Sequence, residues 1–566
     1  MANLLIILPL FSALIGFVSN LRKVMSFIML CSCFVCIVLL YNIDDGYIVI
    51  NLGKFLNDIN YTLKLDEMNL KLSFMVSTVA FLCSLYTIGY VKSEDNQNKL
   101  LRLNSIFAFF MIYFICSDNL FNSCISYGMT VVTAFFIISF YDFRTSVNNL
   151  AAKVTSFNFI GYIILLVVTA ILSNKINSFD FVAIINGLKK DANENIKYII
   201  ILCGFIMSGV FGFHNVVVKA NKASQASINF LYGSTFIACG LILCSKFHEI
   251  LKISHTLSTL MMFYCAISSL ILAFYACTQF DLKKIVLYSS CSQISLIFLT
   301  LPSNNLDFFS TALIYHSFLK LLLFMCIGAI ISIMSNERNI FNLGGIFKLA
   351  KLSFLITFVA GILTLSFPLI ISNIQHLNDF KFLQILLYAN TFFTSFYITR
   401  LIILVFFKNF RGDETIFAHA KEANGIIISS CIITMAFSLY YIFDVLKFVT
   451  LNNISYHLLS FVLGFIFSFK RNYINTPTPK SEEIINEGKL NATLRFIASL
   501  LIYRPAVFCF EIIENKIIFN SAKYVTSLSL SVSNKIKKAK ESNIFIYNFW
   551  IIISTLIIIS IMLFKK

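Results

Sequence analysis

Long apolar runs recur along almost the whole chain, and each is long enough to cross a lipid bilayer as a helix. They predict helices at Leu4–Val18, Met25–Tyr41, 72–91, 103–117, 120–141, 154–173, 197–213, 225–245, 257–280, 284–301, 308–334, 352–373, 382–407, 425–444, 450–469 and 546–564. Membrane barrels show short alternating segments instead of continuous runs. The pattern therefore predicts an all-α polytopic membrane protein with about 14–16 transmembrane helices.

Polar segments separate some of these runs. Residues 42–71 carry several carboxylates and predict an external loop. Residues 473–543 alternate apolar and polar groups, which indicates an amphipathic segment lying along the membrane or along partner subunits. The first run, Leu4–Val18, lacks a basic region before it and leads straight into a second run, so it predicts a permanent helix and not a cleaved signal peptide.

Composition supports this picture and excludes several functions. The chain has 566 residues, of which 58% are hydrophobic and 13% charged, too apolar for a soluble protein of this size. The net charge of +17 is explained by basic residues at helix ends, where they contact lipid headgroups, so no nucleic-acid partner is expected. The cysteines stand among apolar residues and predict small core side chains, with no metal site. No phosphate-binding glycine motif is present, and we expect no cofactor and no catalytic site of its own.

Two ionisable residues interrupt the apolar run within Thr311–Gly345. His316 and Lys320 are four residues apart, so on a helix they share one face, with about 6 Å of rise between them. Lys320 lies near mid-span, where an amine either has a polar partner or reaches for the interface. His316 is either an ordinary interior histidine or, with Lys320, the second step of a proton path.

Three further polar clusters offer candidate groups. In Asp281–Gln293, Lys283 precedes several hydroxyl residues, which either join helices by hydrogen bonds or line an ion path. The segment His214–Asn229 is either an ordinary loop or a broken helix lining a cavity. In Thr394–Arg400, the arginine lies deep enough to need a partner. His214, Lys283 and Arg400 therefore join Lys320 and His316 as candidates for the proton path.

Four motifs in these clusters resemble one known family, the antiporter-like membrane subunits of respiratory complex I and of Mrp-type cation/proton antiporters. The motifs are DLKKIVLYSSCSQ (Asp281–Gln293), HSFLK followed by LLLF (from His316), RNIFNLGG (Arg338–Gly345) and TSFYITR (Thr394–Arg400). Their order and spacing fit the family. The helix number and the polar stretch before the last helix are most similar to the largest antiporter-like subunit of complex I.

The resemblance implies two inverted five-helix repeats, each with a broken helix and a buried lysine. It divides the chain into N-terminal helices at 1–117, a first, degenerate repeat at 118–277, a second repeat at 278–446, and C-terminal helices at 447–566 with a final anchor at 546–564. Other membrane subunits, the lipid bilayer and H⁺ or Na⁺ are the partners it implies. It also implies location in the cell inner (cytoplasmic) membrane.

The chain departs from the family at positions where charged groups are expected. Gly128 stands at the place of a glutamate, and Met207 and Asn373 stand at the places of lysines. The expected histidine or lysine of the eighth span aligns with Tyr232 or Ala238. The first half-channel therefore lacks the opposing charges of the family mechanism, and the relay is reduced to Lys320 with His316.

Two functions remain open from the sequence. The first is translocation of protons or Na⁺ by a membrane subunit of a complex I-like NADH:quinone oxidoreductase or an Mrp-type antiporter, with a relay centred on Lys320. Such a subunit contributes no redox chemistry itself. The alternative is a diverged paralogue that no longer conducts and has a structural role in such a complex. An independent solute carrier is disfavoured, because its broken helices would need substrate-binding residues outside these motifs.

Overall fold

The computed structural model describes residues 2–18, 21–43, 46–55, 59–140, 145–190, 194–303, 305–372, 380–448 and 454–471, all within one compact unit, 1–476. The helices are α1 Ala2–Val18, α2 Arg22–Tyr41, α3 Glu67–Tyr90, α4 Glu94–Cys116, α5 Leu120–Ile138, α6 Thr145–Ile176, α7 Phe181–Lys190, α8 Asn195–Ser208, α9 His214–Lys219, α10 Gln225–Phe230, α11 Cys239–Lys246, α12 His248–Ile253, α13 His255–Thr278, α14 Leu282–Phe298, α15 Leu306–Ile333, α16 Lys351–Ser372, α17 Lys381–Ile402, α18 Glu414–His419, α19 Gly425–Leu446 and α20 Ile454–Arg471. The strands are β1 Ile48–Phe55 and β2 Ile59–Leu65.

The predicted helical membrane fold is confirmed. Among the described helices, eleven are long and apolar enough to cross a membrane, and three further apolar helices are shorter. Each predicted span from Leu4 to residue 469 overlaps a helix among the described residues. The amphipathic segment at 473–543 and the anchor at 546–564 lie outside the described residues. The division into repeats, and their inverted relation, stay predictions.

Residues 42–71, predicted as a loop, contain a two-stranded antiparallel hairpin instead. Val49 pairs with Lys64 and Asn51 with Thr62, and the register shifts beyond Asn51, beside Gly53 with its φ of +120°. The next helix, α3, begins earlier than predicted because Asp66 caps it, accepting a hydrogen bond of 2.8 Å from the Asn69 amide. A search for long apolar runs does not detect such short alternating strands.

Helix α15 lies at the centre of the bundle. It packs against α3, α14, α16 and α19, and 94% of its most apolar stretch is buried inside the protein. The outer helices α2 and α19 are less than half buried by the same measure and present large apolar side chains outwards. A buried helix surrounded by helices with apolar outer faces is the arrangement that a lipid solvent favours.

Helices α8 and α11 approach each other through glycine. A Cβ atom at Gly240 would collide with the carbonyl oxygen of Gly204 and with the Ser208 hydroxyl. The two backbones are therefore in direct contact, as small residues allow between membrane helices.

Replacing Gly240 with valine should destabilise the protein by about 1–3 kcal/mol, because the added side chain forces α8 and α11 apart. Thermal unfolding in detergent measures the effect. Gly425→Ala is the control, since a Cβ there has no atom within 4 Å. Equal unfolding temperatures for the two variants would contradict the close contact.

The segment His214–Asn229, for which the sequence left a loop or a broken helix open, is a broken helix. α9 continues as a 3₁₀ turn at Ala220–Lys222, and Ala223 and Ser224 are extended. Ser224 then caps α10, accepting a hydrogen bond of 3.1 Å from the Ser227 amide. A π-helical turn at Leu231–Thr235 and a 3₁₀ turn at Phe236–Ala238 lead on to α11.

Cationic side chains bind the carbonyl groups that the break leaves without helical partners. Lys283 donates to the Ala223 carbonyl at 3.0 Å, and Arg338 donates to the Asn221 carbonyl at 3.3 Å. Asp281 accepts a hydrogen bond of 3.2 Å from the side-chain amide of Asn221 and also caps the start of α14. Cations are stabilised at a helix C-terminus by its partial negative charge, so these groups hold the break in place.

Replacing Lys283 with methionine should loosen the break, because the buried Ala223 carbonyl loses its side-chain donor. Hydrogen exchange of the peptide covering residues 219–225 should become faster by about tenfold, the factor for a loss of roughly 1.4 kcal/mol. The matched control is Lys284→Met, which removes the same charge one residue away. Unchanged exchange in Lys283→Met would show that Arg338 and Asp281 hold the break without it.

Candidate functional site: a buried lysine and its hydroxyl partners

Lys320 lies in the middle of α15 and is fully buried. It is fourteen residues after Leu306, about 21 Å along a helix about 42 Å long. The start of this helix is fixed by Asn305, which accepts a hydrogen bond of 2.9 Å from the Phe308 amide. The predicted position of the lysine near mid-span is therefore where the structure places it.

The amine of Lys320 donates to the hydroxyl of Ser289 on α14. The Ser289 oxygen lies 2.9 Å from the phenolic oxygen of Tyr397 on α17. We call these three side chains, Lys320, Ser289 and Tyr397, the lysine–serine–tyrosine chain. It joins three helices at one buried point.

A hydroxyl partner suits both protonation states of the lysine. The Ser289 oxygen accepts from an ammonium group, and its O–H can donate to a neutral amine. In the part of the chain that the structure describes, the ion pairs lie at helix ends and none of them includes Lys320. The geometry therefore gives the amine a partner that can reverse the direction of its hydrogen bond.

His316 is buried one turn before Lys320 on the same helix, as predicted. Its ring lies against Phe367 of α16, with the ring centroids 5.6 Å apart. Neither ring nitrogen has a hydrogen-bond partner among the described residues. The two predicted groups thus share one region of α15 without a direct bond between them.

The other three candidates are not brought to Lys320. Lys283 binds the helix break, about 9 Å along α14 from Ser289. His214 stacks on Phe211 with ring centroids 5.3 Å apart, within an aromatic cluster. Arg400 donates to the Cys277 carbonyl in the last turn of α13, and its guanidinium lies over two phenylalanine rings. The partner that Arg400 needs is therefore a helix end.

A polar face continues along α17 from the lysine–serine–tyrosine chain. Thr394 donates to the Asn390 side-chain oxygen at 3.3 Å. Asn390 donates to Ser269 on α13 at 3.2 Å and to Ser292 on α14 at 3.3 Å. We call Asn390, Thr391, Thr394 and Tyr397 the α17 polar face.

A second set of polar side chains, from α10, contacts α15 one turn after Lys320. Gln225, at the start of α10, donates to the Phe324 carbonyl of α15 at 2.8 Å and to Asn229 at 2.9 Å. The side-chain oxygen of Gln225 has no hydrogen-bond partner among the described residues. The broken helix therefore places polar atoms at the turn of α15 that follows Lys320.

Packing contacts occupy two positions of the first predicted half-channel at which charged groups are expected. A Cβ at Gly128 would lie 2.7 Å from the Tyr162 ring, so that ring occupies the space of a longer side chain. Met207 is buried and packs near Gly161 of α6. Asn373 lies outside the described residues.

The sequence did not predict that Ser289 contacts both Lys320 and Tyr397. Both residues stood in quoted motifs, but nothing in the sequence indicated that they meet. Asn390 could have been found from the sequence, because an amide side chain inside an apolar run is a candidate hydrogen-bond partner for another helix.

Comparison with known proteins identifies relatives. A family profile described as NADH:quinone oxidoreductase/Mrp antiporter, TM, matches residues 117–404. NADH-ubiquinone oxidoreductase chain 5 of Chondrus crispus is 23% identical over 404 residues, covering 66% of this chain and 61% of the relative. The same chain of Papio hamadryas is 27% identical over 296 residues, covering 52% and 49%. The chain thus spans less than two thirds of the length of these relatives.

Solved structures share the fold at low sequence identity. A chain of the membrane-bound sulfane sulfur reductase, an archaeal respiratory membrane complex, superposes with a TM-score of 0.71 at 15% identity, covering 94% of this chain and 99% of that chain. A chain of the Mrp complex from Dietzia sp. DQ12-45-1b gives 0.69 at 15% identity, covering 99% and 62%. At this identity the likeness concerns the fold alone. Because the family profile matches half of the chain, across the broken helix, Lys320 and Tyr397, the protein belongs to the NADH:quinone oxidoreductase/Mrp antiporter transmembrane family.

Proposed function

We propose that this chain moves protons across a membrane, with Lys320 as the central proton-exchanging group. The observation that carries the proposal is the burial of this amine at mid-span on a hydroxyl that fits both of its protonation states. A buried ionisable residue is costly in a bilayer and marks a functional path by default. A chain with only a structural role has no need of it, so the non-conducting alternative is disfavoured.

Protons are a better cargo for this site than Na⁺. A hard cation prefers several oxygen ligands, including carboxylates or carbonyls. Within the described residues, no group of three or more histidine, cysteine, aspartate or glutamate side chains could hold a metal ion. An ammonium group at the centre of the path also repels a cation. A proton, unlike Na⁺, can be relayed through hydroxyls, which both accept and donate hydrogen bonds.

We further propose that the chain works beside other membrane subunits. The relatives are named as chains of NADH-ubiquinone oxidoreductase, and the solved neighbours belong to membrane complexes. In such a complex, redox chemistry belongs to other subunits. We place the complex in the cell inner (cytoplasmic) membrane, and fractionation of cells that carry a tagged chain tests that placement against a mitochondrial one.

Replacing Lys320 with methionine should lower proton flux by at least about tenfold, because methionine has a similar length but cannot hold a proton. Flux is measured in vesicles that contain the assembled native complex, energised by its own driving reaction. Lys284→Met is the control, since it removes a lysine at a helix start. Equal flux in native and Lys320→Met vesicles would overturn the proposal.

Replacing Ser289 with alanine should lower flux by about tenfold, because Lys320 loses its hydroxyl partner. Ser290→Ala is the matched control, since the Ser290 hydroxyl donates to the Val286 carbonyl of its own helix. The Ser290 variant should conduct like the native chain. A loss of flux shared equally by both variants would contradict a specific role for Ser289.

A further inference from the structure

His457 of α20 is a buried titratable group that the lysine–serine–tyrosine chain does not include. Its Nε2 atom lies 2.6 Å from the Ser372 hydroxyl of α16, and its Nδ1 atom lies 2.8 Å from the Thr391 hydroxyl of α17. Of the described histidines, it is the one whose two ring nitrogens both contact side-chain hydroxyls. An imidazole with hydroxyls on both sides can take a proton on one nitrogen and release one from the other.

The ring is held in place by helix packing. α20 lies close against α17, where the Ser395 hydroxyl donates to the Phe461 carbonyl at 2.8 Å. A Cβ at Gly464 would collide with the Phe392 carbonyl, so the two backbones are in contact. These contacts fix α20 without using the imidazole. Packing therefore does not explain why a polar ring is buried at this point, at the cost that burial of a polar group carries.

The α17 polar face connects His457 with Lys320. Thr391 contacts the imidazole, and Tyr397 contacts Ser289, six residues further along the helix and about 9 Å away in rise. Thr394 lies between them, three residues from each, and successive side chains at that spacing are about 5–6 Å apart. A gap of that size is wide enough for one bridging water molecule.

We propose that His457 is a second proton-exchanging group of this path. Protons pass between Ser372 and Thr391 through the imidazole, and along the α17 polar face to Tyr397, Ser289 and Lys320. A proton arriving on one ring nitrogen leaves from the other, so the ring returns to its neutral form and no other reactant is consumed. The inference rests on the proposed function, since it extends the path that starts at Lys320.

The surroundings of His457 support this role. The ring of Tyr388 on α17 meets the imidazole edge to face, with the centroids 4.6 Å apart, and Tyr456 stacks on Tyr388. Among the described residues, no carboxylate or amine forms an ion pair with His457. Proton exchange at this ring is therefore governed by the hydroxyls on both sides, and no fixed charge holds it in one form.

The test is His457→Gln in vesicles that contain the assembled complex. Glutamine keeps an amide that can bond to neighbouring hydroxyls but cannot exchange a proton near neutral pH, so a merely structural histidine predicts native flux. The proposal predicts a loss of flux of at least about tenfold with assembly and unfolding temperature unchanged. His419→Gln is the control, since His419 is exposed in α18.

A second variant covers the case in which His457→Gln does not assemble. Thr391→Val preserves the shape of the side chain and removes the hydroxyl between His457 and the α17 polar face, and it should also lower flux. Thr357→Val is its control, because the Thr357 hydroxyl bonds within its own helix. Native flux in an assembled His457→Gln complex, or in Thr391→Val where that complex does not form, overturns the inference.

The Lys320→Met result separates the two proposals. If Lys320→Met stops flux and His457→Gln conducts like the native chain, only the role of His457 is overturned. If flux is independent of Lys320, both the proposed function and this inference are overturned.

Discussion

The amine of Lys320 needs a polar partner in the middle of an apolar bundle, and the packing of three helices supplies it. An unpartnered ammonium at that depth would cost several kcal/mol. Ser289 accepts from the amine and contacts Tyr397 only if α14 lies against α15 in one register and α17 lies against α14. The requirement of one buried group therefore constrains the relative positions of three helices, and the α17 polar face follows from the same placement.

Cations in this protein serve two different purposes, and their partners distinguish them. Lys283, Arg338 and Arg400 all donate to backbone carbonyls at a helix break or a helix end. A carbonyl can only accept a hydrogen bond, so it cannot reverse the direction of these contacts. Lys320 instead contacts a hydroxyl, which accepts and donates. On the proposed function, cationic side chains therefore exchange protons at Lys320 and fix the ends of helices elsewhere.

The sequence predicted the helices well because long apolar runs reflect the bilayer directly. The hairpin at Ile48–Leu65 was missed, since its strands are short and lie in a polar stretch. The motif around Lys320 was recognised from its two interrupting residues. The contact of Lys320 with Ser289, and of Ser289 with Tyr397, could not be predicted, because both contacts depend on how separate helices pack together. His457 gave no motif at all, and only its hydroxyl neighbours on two other helices distinguish it from an ordinary buried histidine.

The proposed proton path draws most of its groups from α14 to α20, because packing contacts occupy two positions of the first repeat at which charged groups are expected. The Tyr162 ring fills the space beside Gly128, and Met207 packs near Gly161. On the proposed function, this path connects Lys320 with the membrane surfaces through groups on α10 and on α14 to α20. Gln225 and Asn229 at the broken helix offer polar atoms on one side of Lys320, and the α17 polar face leads to His457 on the other. Lys320 alone does not extend to α20. His457, whose two ring nitrogens both contact hydroxyls, supplies a proton-exchanging group there in the proposed path.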